Sequence, residues 1–231
     1  MMLSLCVLIA LIWSVQSQEL SQEQRDNIRE FHRKLREEVQ PSASNMMLVE
    51  YSVDLEKYAI QWTVNCSDSL PDHRKLPRDV QNLLEFGNDP LPSPVDILAN
   101  YASQKDQYNF TQNSCAKRCF DYKLLVWAAM TEIGCVQREC KPTNARSFTV
   151  YVFACLYKPV GNIYDDIPYA SGPTCSQCPA GYQCYRNQCA VPMTTTSTST
   201  STSTSNSTST STRLPVLGIA TSAMFIIHIL Q

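Results

Sequence analysis

Histidine is scarce in this sequence of 231 residues: there are three, and His228 lies in the apolar run that ends the chain. That scarcity narrows the chemistry. A Ser-His-Asp constellation needs an imidazole between a serine and an orienting acid, and zinc sites draw chiefly on His and Cys. His32 falls on an apolar helical stripe between Ile28 and Leu35 and is read as a hydrogen-bonded core or boundary histidine rather than a catalytic one. His73 has Asp72 and Asp68 as neighbours, which any exposed loop would offer. No Gly-x-Ser-x-Gly and no His-Glu-x-x-His occurs. Charge of one sign is lacking too. A net charge of −2 gives no electrostatic reason to expect nucleic acid or acidic lipid as a partner. The expectation is a chain without catalytic residues and without a cofactor.

Cysteine, by contrast, is abundant. There are eleven, and Cys6 lies in the first apolar stretch. The others are Cys66, Cys115, Cys119, Cys135, Cys140, Cys155, Cys175, Cys178, Cys184 and Cys189. An even set in a secreted chain reads as a disulfide framework and leaves no thiol nucleophile. Secretion is expected because Leu3–Trp13 is an uncharged apolar run followed by Val15-Gln16-Ser17. This is the pattern of a signal peptide over residues 1–17, although its first residues carry no positive charge. Sequons at Asn65, Asn109 and Asn206 agree with that compartment. Cys175-x-x-Cys178 would suit redox chemistry or zinc. Four cysteines within fifteen residues of a secreted chain read instead as two structural bridges, with Pro179 and Gly181 at the turns.

Four parts follow the signal. Residues 18–160 form a mixed, cysteine-bearing domain, and residues 161–190 a short cysteine-dense hinge with too few large apolar residues for a core of its own. Residues 191–213 are a stalk, almost pure Ser and Thr from Thr194 to Thr212, which cannot bury an apolar face. Such runs serve as O-glycosylated stalks or as bare linkers. Residues 214–231 are apolar and end in Gln231 with no basic stop signal. A polar stalk of small residues before such a tail matches a GPI-attachment signal. A membrane-spanning helix is the alternative, at the short end of the roughly 17–25 residues that span a bilayer.

Ser21 and Gln24 form a capping box, and Ile28, Phe31, Leu35 and Val39 recur at helical spacing until Pro41, predicting a first helix. Tyr51, Leu55, Tyr58, Ala59 and Trp62 predict a second, and residues 95–108 a third. Prolines at 77, 90, 92 and 94 make residues 77–94 read mostly as loop. The runs 124–130 and 148–157 read as strands covered on both faces. Helices on each side of a small sheet follow.

The segments FHRKLREEVQPSASNM, LEKYAIQWTVNC, LLVWAAMTEIGC and VFACLYKPVGN, in that order, resemble the CAP superfamily of cysteine-rich secretory, antigen 5 and pathogenesis-related 1 proteins. GPTCSQCPAGYQCYRNQC resembles the hinge of members similar to peptidase inhibitor 16. The resemblance implies an α/β fold, a three-layer α/β/α sandwich with a small antiparallel sheet followed by a short disulfide-rich hinge. It also implies the pairings Cys66–Cys135, Cys115–Cys119, Cys140–Cys155, Cys175–Cys184 and Cys178–Cys189.

Many CAP domains hold a divalent metal between two histidines and two glutamates. By the family's motif spacing, the final histidine falls on Asp121, six residues before Trp127, and the two glutamates fall on Gln81 and Gln104. Only His73 survives, about one residue out of register. A neutral amide is neither a carboxylate base nor a good ligand, so the cleft is expected to be degenerate. Asp121 is then solvated or paired with Lys117, Arg118 or Lys123. Tyr101, Tyr108, Phe110, Phe120 and Tyr122 surround the presumed cleft, as a binding surface or as core. The expected function is that of a non-enzymatic, extracellular, GPI-anchored CAP glycoprotein that binds a protein or lipid partner at the cell surface. The alternatives are a sterol or fatty-acid carrier, a metal-dependent hydrolase or protease, and a protease inhibitor.

Overall fold

A computed structural model describes residues 20–66 and 69–192. The signal peptide, Cys6, the stalk from residue 193 on, Asn206 and the apolar tail with His228 lie outside the described residues. In chain order the elements are α1 (Gln22–Glu37), β1 (Glu50–Tyr51), α2 (Val53–Trp62), β2 (Gln81–Gly87), α3 (Pro94–Ala102) and the ribbon β3 (Tyr108–Asn109) and β4 (Ser114–Cys115). They continue with α4 (Phe120–Leu125), β5 (Glu132–Cys140), β6 (Val150–Lys158), β7 (Gln183–Tyr185) and β8 (Gln188–Ala190).

Strand order in the main sheet is β1-β5-β6-β2. Three strands are antiparallel, and the two-residue β1 joins β5 in parallel at the edge. Alternation along β6 sorts the core into two layers. Phe153, Cys155 and Tyr157 face the helices α1, α3 and α4, together with Ile28, Ile97, Leu98, Leu124 and Ile133. Val150, Val152, Ala154 and Leu156 face α2, together with Leu55 and Ala59. The result is the three-layer α/β/α sandwich.

The predicted capping box forms at α1: Gln24 N–H donates to Ser21 Oγ at 3.2 Å and Ser21 N–H to Gln24 Oε1 at 2.8 Å. His32 on this helix is fully buried. Its Nδ1 lies 2.7 Å from Ile28 O and its Nε2 lies 3.3 Å from Tyr157 Oη, a core histidine as read. Burial lowers its pKa to about 4, partly offset by the Ile28 carbonyl, with Arg36 lowering it further. The unfolded chain therefore takes up this proton near the ordinary pKa of 6.5, while the native state resists it down to about 4. The stabilisation is complete above pH 6.5 and is lost as pH falls to 4. Urea unfolding at stepped pH should show wild type losing about 3 kcal/mol more over that interval than His32→Gln.

Several expectations need correction. Residues 124–130 are not a strand: they are the end of α4 and a following turn, in which Val126 N–H bonds Tyr122 O and Trp127 N–H bonds Leu124 O. A fully buried apolar run looks the same in either state. Residues 77–94 hold β2, because the prolines flank it and do not interrupt it. The third helix is shorter, ending at Ala102 before a 3₁₀ turn at Ser103–Gln107. Tyr51 belongs to β1, and α2 starts after its N-cap Ser52.

The disulfides correct the resemblance in two of five cases. Cys115–Cys119, Cys175–Cys184 and Cys178–Cys189 form as implied. The other two pairs are Cys66–Cys140 and Cys135–Cys155, not Cys66–Cys135 and Cys140–Cys155. The strands decide this. Cys135 lies directly opposite Cys155 in the β5–β6 register, with Cα atoms 4.0 Å apart. Cys140 is an odd number of positions further along β5, so it faces the other layer, where Cys66 ends the α2 segment. Each bridge contributes roughly 2–4 kcal/mol.

The hinge is part of the same compact unit as the domain before it. β7 and β8 form a hairpin whose turn residues, Arg186 and Asn187, have φ of 51° and 57°, as a type I′ turn requires. The turn is pinned to α1. Arg186 pairs with Glu30 at 2.8 Å and Glu37 at 2.9 Å, and Asn187 Nδ2 donates to Glu37 O at the helix C-terminus. Cys189 N–H also donates to Met46 O at 2.6 Å, and Leu48 N–H to Cys189 O at 2.8 Å.

Candidate functional site

The four motif-derived positions come from three layers of structure. Gln81 starts β2, opposite Tyr157 on β6, and so shares the face that α1 and α4 cover. Gln104 sits in the 3₁₀ turn after α3, and Asp121 lies in the first turn of α4. His73 belongs to a 3₁₀ turn at His73–Lys75.

Two of these positions meet. Gln104 Nε2 donates to Asp121 Oδ2 at 2.9 Å. Arg118 closes on the same carboxylate, with Nε 2.9 Å from Oδ2 and Nη2 3.3 Å from Oδ1. Asp121 is 8% exposed and both its oxygens accept from protein donors, with Arg118 reaching it from the solvent side, 73% exposed. Of the basic residues named as partners for Asp121, the structure gives it Arg118. Lys123, also buried, turns instead to Asn113 Oδ1 at 3.0 Å and Tyr164 O at 3.5 Å, over the Tyr108 ring. Burial lowers the pKa of this amine, and the carboxylates of Asp166 and Asp165 oppose that.

His73 is not brought to this group. Its exposed turn is tied to α2, on the opposite face of the sheet, by Trp62 Nε1–H donating to Asp72 O at 2.9 Å and Tyr58 Oη–H to Lys75 O at 3.3 Å. Among the described residues no three His, Cys, Asp or Glu side chains converge so as to hold a metal. The donor set does not fit the family's divalent ion: two amides, and one carboxylate already holding a guanidinium.

Nothing in the sequence marked a second polar pair, close enough to Asp121 for its charge to act on Tyr101. Tyr101 donates to Glu85 Oε2 at 2.6 Å and to Leu84 O at 3.2 Å. Burial raises the Tyr101 pKa, and the charges of Glu85 and Asp121 raise it further. Glu85 lay in a stretch read as loop, so nothing marked which way it faced. The surrounding rings divide: Tyr122 is buried, whereas Tyr101, Tyr108, Phe110 and Phe120 are partly buried against the core.

The sequence pattern of the cysteine-rich secretory protein family, CAP, matches residues 27–157, more than half of the chain. The chain belongs to the CAP family. Peptidase inhibitor 16 of Bos taurus is 30% identical over 173 residues, covering 74% of this chain and 37% of the relative. GLIPR1-like protein 1 of Mus musculus is 29% identical over 174 residues, covering 73% of this chain and 72% of the relative. This CAP chain thus spans only about a third of the length of the first of these. Among solved structures, Schistosoma mansoni venom allergen-like protein 4 superposes with a TM-score of 0.52 at 23% identity, covering 67% of this chain and 97% of that one. NaASP2 with Zn²⁺ superposes at 0.57 and 19% identity, covering 76% and 98%. These likenesses carry the fold alone.

Five disulfides agree with an oxidising, extracellular setting for the CAP domain. No helix among the described residues is long and apolar enough to cross a membrane.

Proposed function

We propose that this CAP protein is a non-enzymatic, GPI-anchored glycoprotein whose head binds a protein or lipid partner at the cell surface. One observation carries the non-enzymatic reading: Asp121 is held by both Gln104 and Arg118. The Arg118 guanidinium and the Gln104 amide between them occupy both carboxylate oxygens, the lone pairs that a bound cation would need. Anchoring raises the effective concentration of weak contacts between opposed surfaces, which suits a binding head.

The test is a calorimetric titration of the intact protein with Zn²⁺. Heat consistent with no stoichiometric uptake at micromolar metal is the expected result. Micromolar uptake abolished by His73→Ala or Asp121→Asn overturns the reading. Release of surface protein by a phosphatidylinositol-specific phospholipase tests the anchor separately.

A lipid partner is favoured by one feature. Two adjoining concavities of about 430 and 440 Å³ run between α1 and α3 and share Phe31 and Lys34. Leu35, Val95, Ala99 and Ala102 add apolar lining for an alkyl or sterol body, and because Glu30, Glu38, Asp96 and Asp106 outnumber Lys34 and Lys105 in the lining, a neutral head group suits it better than an acid.

A further inference from the structure

Three of the eleven tyrosines are exposed, and they differ in what flanks them. Tyr164 is 63% exposed, against 37% for Tyr182 and 41% for Tyr185. Asp165 and Asp166 follow Tyr164 directly, and both are exposed. Lysine, arginine and cysteine are absent from residues 159–169. Tyr182 and Tyr185, by contrast, lie in a stretch from Ile167 to Ala190 that holds no Asp or Glu, among cysteines and next to Arg186.

The backbone presents Tyr164 on a tight turn. Asn162 Oδ1 accepts from Tyr164 N–H at 3.1 Å and from Asp165 N–H at 3.4 Å, and Asp166 N–H donates to Asn162 O at 3.0 Å. The turn is tied to the body through its carbonyls: Asn113 Nδ2 donates to Asp165 O at 2.7 Å, and the buried Lys123 donates to Tyr164 O at 3.5 Å. The Tyr164 ring rests against Phe120 of α4, with centroids 4.8 Å apart, and its hydroxyl makes no hydrogen bond among the described residues. The phenol oxygen is therefore open to reaction, with carboxylates on the next two residues. The exposed cation near it, Arg118, is already paired with Asp121.

We propose that Tyr164 is a sulfation site, esterified by a tyrosine sulfotransferase of the secretory pathway. The sulfate donor is a nucleotide phosphosulfate, a polyanion, so the enzyme that holds it presents a basic cleft. Acidic residues beside a phenol are drawn to such a cleft. In the step, the phenol oxygen bonds to sulfur and the bond from sulfur to the phosphate oxygen breaks. The nucleotide phosphate leaves with that electron pair, and the phenol proton passes to a base of the transferase. The ester sets a fixed negative charge on the turn beside α4. Sulfation goes beyond the partner-binding reading: it needs passage through the secretory route that the disulfides suit, and neither the metal cleft nor the anchor enters the argument.

The test is expression of the full chain in animal cells fed radiolabelled sulfate. Alkaline hydrolysis of the recovered protein separates tyrosine sulfate from sulfated sugar. Label should appear as tyrosine sulfate and vanish in Tyr164→Phe, whereas Tyr182→Phe and Tyr185→Phe should keep it. Asp165→Asn combined with Asp166→Asn should lower it by about ten-fold with the unfolding temperature unchanged, because exposed carboxylates act here on recognition rather than on folding. Three results overturn the proposal: no tyrosine sulfate on this chain while the same cells label a co-expressed acidic tyrosine peptide, undiminished label in Tyr164→Phe, or label indifferent to the loss of both acids. A negative here leaves the zinc titration unaffected, so the two readings fail separately.

Discussion

Replacing Arg36 by methionine is expected to destabilise the head by about 3–5 kcal/mol, the range for removing one buried partner of a polar network. Arg36 is 1% exposed, and among the described residues it binds backbone carbonyls and no carboxylate. It donates to five carbonyls: Leu125 O at 3.4 Å, Trp127 O at 2.7 Å, Met47 O at 2.8 Å, Ala128 O at 3.2 Å and Met130 O at 3.2 Å. Those carbonyls belong to the turn that follows α4 and to the segment leading into β1. Neither is closed by a regular ladder, so the guanidinium does the work that a strand would do elsewhere. Burial lowers its pKa to about 9, which still leaves it cationic at neutral pH. Methionine keeps the apolar stem and removes every donor, which isolates the hydrogen bonds from the packing. Arg36→Lys should recover only part of the loss, because an ammonium offers three donors from one point and cannot span five acceptors. Urea unfolding of both variants gives the comparison. A methionine variant within 1 kcal/mol of wild type would show that water satisfies those carbonyls instead.

The same residue shows what the sequence made legible. The α1 stripe was readable because periodicity and the capping box are local signals, and both appear where expected. Arg36 fell on that helix as one more charged residue, and its burial is set by a turn about ninety positions away. Motif spacing pointed to Gln104 and Asp121 together, and they hydrogen-bond, whereas His73 stays apart; Arg118 as the partner of Asp121 was one of three basic neighbours until the helix geometry chose it. Register was invisible. Cys135 and Cys140 both lie on β5, and only the pleat shows that they face opposite layers, which is why the implied bridges crossed over. The buried run 124–130 carried no periodicity with which to tell helix end from strand. The hinge read as an appendage because its own residues bury little, yet the ion pairs from Arg186 fix it to α1.

Gly134→Ala should be as damaging as any single methyl in the protein. Gly134 lies on β5 where the first turn of α2 crosses it. A Cβ built there would sit 2.2 Å from Glu56 N, 2.4 Å from Leu55 C and 2.8 Å from Ser52 O. All three are backbone atoms, so no rotamer change relieves the overlap and the helix itself must move. It is poorly placed to move. Ser52 N–H donates to Ile133 O at 2.7 Å, and Glu56, 1% exposed, accepts from Arg25 at 2.7 Å and from Tyr51 Oη at 2.5 Å. The far end of the α2 segment is bridged through Cys66 to Cys140 on the same strand. Overpacking of a yielding core costs about 1–3 kcal/mol, and this site should reach or exceed the upper end. For a domain of this size that corresponds to a fall in melting temperature of about 6–12 °C. Gly87→Ala is the matched control, since its Cβ would meet Leu91 Cδ2 at 3.6 Å, an ordinary contact. If Gly134→Ala melts with wild type while the control does too, the close crossing of α2 over β5 is wrong, and with it the layer that separates Cys66–Cys140 from Cys135–Cys155.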